Sequence, residues 1–155
     1  HLALTNTPKD FEVWDTLDIS GLVNEGRVLL RQLRATIEEH SKHKHRFVGT
    51  IHGKDWEAVA VNAPHAIASD TAETIAKDAA VGIGIVYQVS PHSPTELFIS
   101  YSFRVAAHST FDASEFCGRF GGGGHVRASG VGIVVPTADA AASLWGLNAD
   151  SRSLK

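Results

Sequence analysis

Four consecutive glycines, Gly121, Gly122, Gly123 and Gly124, run directly into His125, and Val126, Arg127, Ala128, Ser129 and Gly130 follow. Four residues without a Cβ cost more chain entropy than an ordinary turn requires. Such a stretch suits close approach, because successive backbone N–H groups can converge on an anion as they do in nests and at helix N-termini. His125 adds a donor that can carry charge near neutral pH. The plain alternative is a surface turn, since glycine is a general loop marker. Arg104, at the end of an alternating segment, offers a planar fork of donors suited to phosphate or carboxylate; an exposed strand-end arginine, or a partner for Asp112, is the ordinary fate of such a residue. His108 lies between Arg104 and the glycines in sequence, and Arg127 lies just beyond His125. Each suits either a second ligand contact or solvent, and Asn62 and Ser69 are further candidates to line the same cleft.

The run GGGGH followed by Val126, Arg127, Ala128, Ser129 and Gly130 resembles the GGGH-x-x-A-(A/S)-G signature of the DHH-associated domain. That domain is the C-terminal half of DHH-superfamily phosphoesterases, among them RecJ-like nucleases, nanoRNases and cyclic-dinucleotide phosphodiesterases. The resemblance implies that Arg104 and the motif residues Gly121, Gly122, Gly123, Gly124, His125 and Ala128 contact an oligonucleotide or nucleotide substrate, with His108 and Arg127 as further candidates from their place in the sequence. It also implies that manganese chemistry resides in a separate N-terminal catalytic domain. The superfamily's Asp-His-His motif is absent from these 155 residues, and no Asp-x-Asp pair replaces it. Metal-assisted hydrolysis needs several such ligands around one or two ions, so no catalytic residue and no cofactor are assigned within this chain. A related glycine-histidine motif occurs in the C-terminal domain of alanyl-tRNA synthetases, which makes a non-catalytic RNA-binding module the second expectation. A structural or dimerising domain is the third.

The elements that must position these residues are legible from periodicity. Leu22, Gly26, Leu29, Leu30, Leu33 and Ile37 recur at helical spacing, which predicts a helix over 18–43, capped by Asp18 or Ser20 and roughly 39 Å long. The resemblance makes it an inter-domain connector. Segments 46–52 and 56–62 read as a β-hairpin, and Pro64 ends the second strand. Ser69 or Asp70 is expected to cap a helix through Ala79, and 81–89 reads as a buried strand. Two prolines predict a loop over 90–94, and strict alternation predicts a strand over 96–105. A short helix capped by Ser109 or Asp112 leads to the glycines, a strand over 131–135 follows, and a last helix opens at Thr137. The fold expected is α/β: a mixed β-sheet of about five strands flanked by helices, preceded by the long connector helix. The domain boundaries expected are 1–45 for linker and connector, 46–148 for the substrate-binding domain and 149–155 for a polar tail.

With 43% hydrophobic residues the chain can bury one core. A net charge of −3 argues against a surface that coats nucleic acid, so phosphate recognition must be local. The single cysteine, Cys117, excludes an intrachain disulfide and fits a reducing, cytoplasmic setting. No apolar run reaches the roughly 20 residues that span a bilayer, so no membrane partner is expected. The lack of methionine predicts a piece of a longer protein, and a homodimer is compatible with the sequence. His40, His43 and His45 lie among Lys42, Lys44 and Arg46, with no acid between His40 and Lys54. That pattern favours a solvated basic helix end over a metal site, with phosphate contact as a lesser alternative.

Overall fold

A computed structural model describes residues 18–51, 54–78, 80 and 82–137. In chain order it contains α1 (Ile19–Ser41), β1 (His45–Ile51), β2 (Lys54–Asn62), a 3₁₀ turn (His65–Ile67), α2 (Ala68–Asp78), β3 (Ile83–Ser93), β4 (Glu96–Val105), α3 (Ala113–Gly118), β5 (Gly123–His125) and β6 (Ala128–Pro136). The architecture is α/β, with one mixed six-stranded sheet ordered β1-β2-β3-β4-β6-β5. Among the described strands only β2 and β3 pair in parallel, because α2 returns the chain between them; the other neighbours there are antiparallel.

The alternation along β4 sorts the sheet into two faces. Ile99, Phe103 and Val105 join Ile83, Ile85, Tyr87, Val131 and Val135 in the core beneath α3. On the opposite face, Val59, Val61 and Val86 pack with Ala72 and Ile75 of α2 and with Ile37 of α1. Gly84 lets α2 settle directly on β3, since a Cβ there would lie 2.8 Å from the Ala76 amide nitrogen and inside contact of the Ala72 carbonyl. Within α1, Ile37 is the buried residue and Leu33 packs beside it, while Ile19, Val23, Leu29 and Leu30 are exposed. No helix among the described residues is long and apolar enough to cross a membrane.

Several local expectations are corrected. Ser69 and Asp70 do not cap α2, which starts at Ala68 directly after the 3₁₀ turn. Ser69 is thereby left in the first turn, free to accept a side-chain bond. Asp18 holds the N-cap position of α1 but makes no capping hydrogen bond through its side chain. Residues 90–93 are strand rather than loop, with a register shift between Pro91 and Ser93 and a turn at 94–95. Proline survives there because β2 pairs with β3 only up to Tyr87, so no second ladder needs its missing donor. The glycine stretch is not wholly loop, because Gly123–His125 is an edge strand; β6 correspondingly starts at Ala128 rather than Val131. The expected linker before 18, the helix after Thr137 and the polar tail lie outside the described residues.

Candidate functional site

Asp112 starts α3 by accepting the Glu115 amide at 2.9 Å and the Ser114 hydroxyl at 2.6 Å. These two bonds, the Ser114 one first, hold its carboxyl below the ordinary aspartate range. At the other end the helix closes on a Schellman motif. The Gly122 amide donates to the Cys117 carbonyl at 2.9 Å, and the Gly121 amide to the Gly118 carbonyl at 3.2 Å. Gly121 sits at φ +78°, the left-handed conformation that this motif requires. Four free amides converging on an anion are therefore not what the chain forms, since two of them serve the helix end.

The next two glycines divide sharply. At Gly124, φ is +140° and a Cβ would collide with the Ala128 carbonyl, so the fold itself requires glycine. At Gly123 nothing lies within 4 Å of where a Cβ would stand. Gly123 is also exposed, and packing gives no reason for its lack of a side chain.

Register places the chemistry. Arg104 pairs with Ala128, and Ala128 pairs with His125, so these three form one row across β4, β6 and β5. The adjoining same-face row is Ser102, Gly130 and Gly123. Residues paired directly across an antiparallel ladder share a face, which sets Arg104 and His125 on one side of the sheet, roughly 10 Å apart at the backbone, two inter-strand spacings. Between them the floor is nearly free of side chains. Of the two helices on this face, α2 packs over β2, β3 and β4. His125, Gly123 and Gly132 on that side of β5 and β6 are exposed.

Arg104 sits in the seam between α2 and this floor. Its Nη1 donates to the Phe103 carbonyl at 2.8 Å and its Nη2 to the Ser69 hydroxyl at 2.7 Å. Arg104 also borders a cleft of about 480 Å³ with Arg127, His108, Lys77 and Glu73, and much of the cleft wall is apolar, from Ala76, Val105, Ala106 and Ala107. The backbone of the 126–127 hairpin tip is docked, since the Arg127 carbonyl accepts the Val105 amide and the Val126 carbonyl accepts the Ala113 amide. Arg127 also donates from Nη2 to the Ala107 carbonyl at 3.2 Å. Glu73 and Lys77 pair at 2.5 Å. Lys77 first, and Arg104 more weakly, hold the Glu73 carboxyl below its usual range.

The structure thus gathers Arg104, His108 and Arg127 in the cleft and joins Arg104 to Ala128 and His125 along a sheet row. Gly121, Gly122 and Gly124 serve the backbone instead. Asn62 donates to the Tyr87 carbonyl at 3.1 Å, a strand-end bond that also leaves it outside the cleft lining. Glu73 and Lys77 escaped sequence reasoning, because an i, i+4 acid–base pair on an amphipathic helix reads as a solvated face. Only α2's docking through Gly84 brings them to Arg104. His45 lies edge-on to Tyr87 at 6.1 Å between ring centres, and its burial lowers its pKa. Among the described residues no group of three or more His, Cys, Asp or Glu side chains is gathered to hold a metal ion. Cys117 is fully buried and its thiol is pushed up to about 11 by burial, the reverse of what a nucleophile needs. No protein-family model matches the chain, and no curated protein matches it.

Proposed function

We propose that this chain is the substrate-binding domain of a DHH-type phosphodiesterase, holding the phosphate of a short oligonucleotide or cyclic dinucleotide for chemistry performed by a separate catalytic domain. The observation that carries the reading is the row Arg104, Ala128, His125 beside the bare position Gly123. A guanidinium and an imidazole flank a floor on which a nucleotide backbone can lie in contact with the main chain. Binding of this kind contributes to catalysis by holding the scissile bond in a productive orientation. In this reading the manganese belongs to the partner domain. The lone buried thiol fits a cytoplasmic protein.

Titration of the purified chain with the dinucleotide ApA, and separately with tRNA, at about 50 and about 200 mM salt tests the proposal. Saturable ApA binding with a shallow salt dependence is expected, weakened in Arg104→Ala and His125→Ala variants that keep their helical and strand content. Equal ApA affinity in both variants refutes the site. A steep salt slope with tRNA, without ApA saturation, identifies an RNA-binding module instead.

A further inference from the structure

We infer that a row of three residues on α2, Ser69, Glu73 and Lys77, governs whether Arg104 can take a ligand. Ser69 and Lys77 are positioning residues: the first holds the guanidinium, and the second holds a competing carboxylate, Glu73, away from it. This rests on the nucleotide-binding reading above and adds to it the residues that keep its arginine available. Positions 69, 73 and 77 are spaced four apart within one helix, so they stack on one face of α2. That face borders Arg104, because Ser69 bonds to it and Glu73 and Lys77 line the same cleft.

A long side chain at a strand end has many rotamers, and confining it costs entropy. Arg104 is held by two bonds, from Nη1 to the Phe103 carbonyl at 2.8 Å and from Nη2 to the Ser69 hydroxyl at 2.7 Å. The first acceptor is its own chain neighbour, so only the second ties the guanidinium to another element. Ser69 can serve because α2 starts at Ala68 and the serine hydroxyl is not used as a cap. Two of the five guanidinium donors are then engaged and three remain for a ligand.

The strongest rival for those three is a carboxylate, which meets a guanidinium in the same forked geometry as a phosphate. Glu73 is placed to be that rival. It stands one helical turn from Ser69, and the charge of Arg104 contributes to the lowering of its pKa. Its ion pair is nevertheless with Lys77, one turn further along the helix. Among the described residues no carboxylate pairs with Arg104. Lys77 thus draws the carboxylate toward the C-terminal end of α2 while Ser69 keeps the guanidinium at the N-terminal end. Without Lys77 the carboxylate turns to Arg104 and occupies the donors that a phosphate requires.

The test is ApA titration of the full chain and its variants at about 50 and about 200 mM salt. All three residues are exposed on α2, so the substitutions leave the core intact. Lys77→Gln is expected to weaken ApA binding about threefold to fivefold at the lower salt, and less at the higher, because an exposed ion pair is screened. The double variant Glu73→Gln with Lys77→Gln is expected to recover at least wild-type affinity, which removal of a direct ligand contact or a simple loss of helix stability would not allow. Ser69→Ala is expected to lose about tenfold, and Ser69→Thr, which keeps the hydroxyl, to bind like wild type. A Lys77→Gln loss that persists in the double variant refutes the inference, since Lys77 then acts on the ligand itself. Unchanged affinity in Lys77→Gln or in Ser69→Ala refutes it as well. If Arg104→Ala binds ApA as well as wild type, or if no ApA binds at all, the nucleotide-binding reading fails first and this inference with it.

Discussion

Replacing each glycine of the tract by alanine in turn separates what the fold requires from what a ligand requires. Gly121 occupies a left-handed position with open space around it, so Gly121→Ala costs the conformational penalty alone, about 1–2 kcal/mol. Gly122 has an unrestricted φ, but its Cβ would stand 2.7 Å from the Val131 Cβ and inside contact of the Gly130 carbonyl. Neither neighbour can yield without moving β6, and overpacking of this kind costs about 1–3 kcal/mol. Gly124 combines both faults, a φ of +140° and a collision with the Ala128 carbonyl, for a total of about 4 kcal/mol. Gly123 has neither, and alanine there restricts the unfolded chain, giving stability equal to wild type or up to about 1 kcal/mol higher. The order expected in urea denaturation is Gly124→Ala least stable, then Gly122→Ala, Gly121→Ala and Gly123→Ala. For the last of these, dinucleotide affinity should move opposite to stability. A methyl group at Gly123 rises from the floor on the same face as Arg104 and His125. Losing one main-chain contact to a charged phosphate then weakens ApA binding about tenfold. A well-folded Gly123→Ala protein with undiminished ApA affinity would show that the ligand does not reach this floor. A neutral Gly122→Ala would show that the packing described for the tract is wrong.

Two further outcomes follow from the core. The Cys117 thiol is raised from its ordinary 9.0 to about 11 by burial, so the folded state favours the neutral form. Its contribution is intact below pH 9 and is lost as pH rises from about 9 to about 11. The loss amounts to about 3 kcal/mol at 1.36 kcal/mol per unit. Burial also raises Tyr87 and Tyr101, so the measurement is the difference in alkaline slope between wild type and Cys117→Ala; parallel slopes would exclude the thiol as the source. The Thr71 hydroxyl, on a fully buried residue of α2, has no hydrogen-bond partner among the described residues. Thr71→Val keeps the shape and removes the orphaned group, and should raise stability by about 1 kcal/mol in urea denaturation; a loss of that size would mean the hydroxyl is satisfied.

Much of the fold was legible because it depends on short-range periodicity. The alternation from Leu97 to Phe103 predicted β4, and the three- and four-residue spacing from Leu22 to Ile37 predicted α1. The register shift that carries β3 through Pro91 was not legible. A proline is excluded or tolerated according to whether a neighbour needs its donor, and that neighbour is remote in sequence. The same holds for Ser69, which has the right type and place for a cap yet is claimed by Arg104, 35 residues away. Residue types alone nominated the site: a glycine tract, a histidine and two arginines capable of meeting phosphate. Pairing register and helix docking decided how they meet. The ladder set Arg104 and His125 on one face, and the Schellman closure took Gly121 and Gly122 for the backbone. The seat of α2 on Gly84 brought Glu73 and Lys77 to the cleft. Local sequence specifies which conformations and chemistries a segment can support. Long-range contacts, formed only when the whole sheet closes, determine which donors remain free to use them.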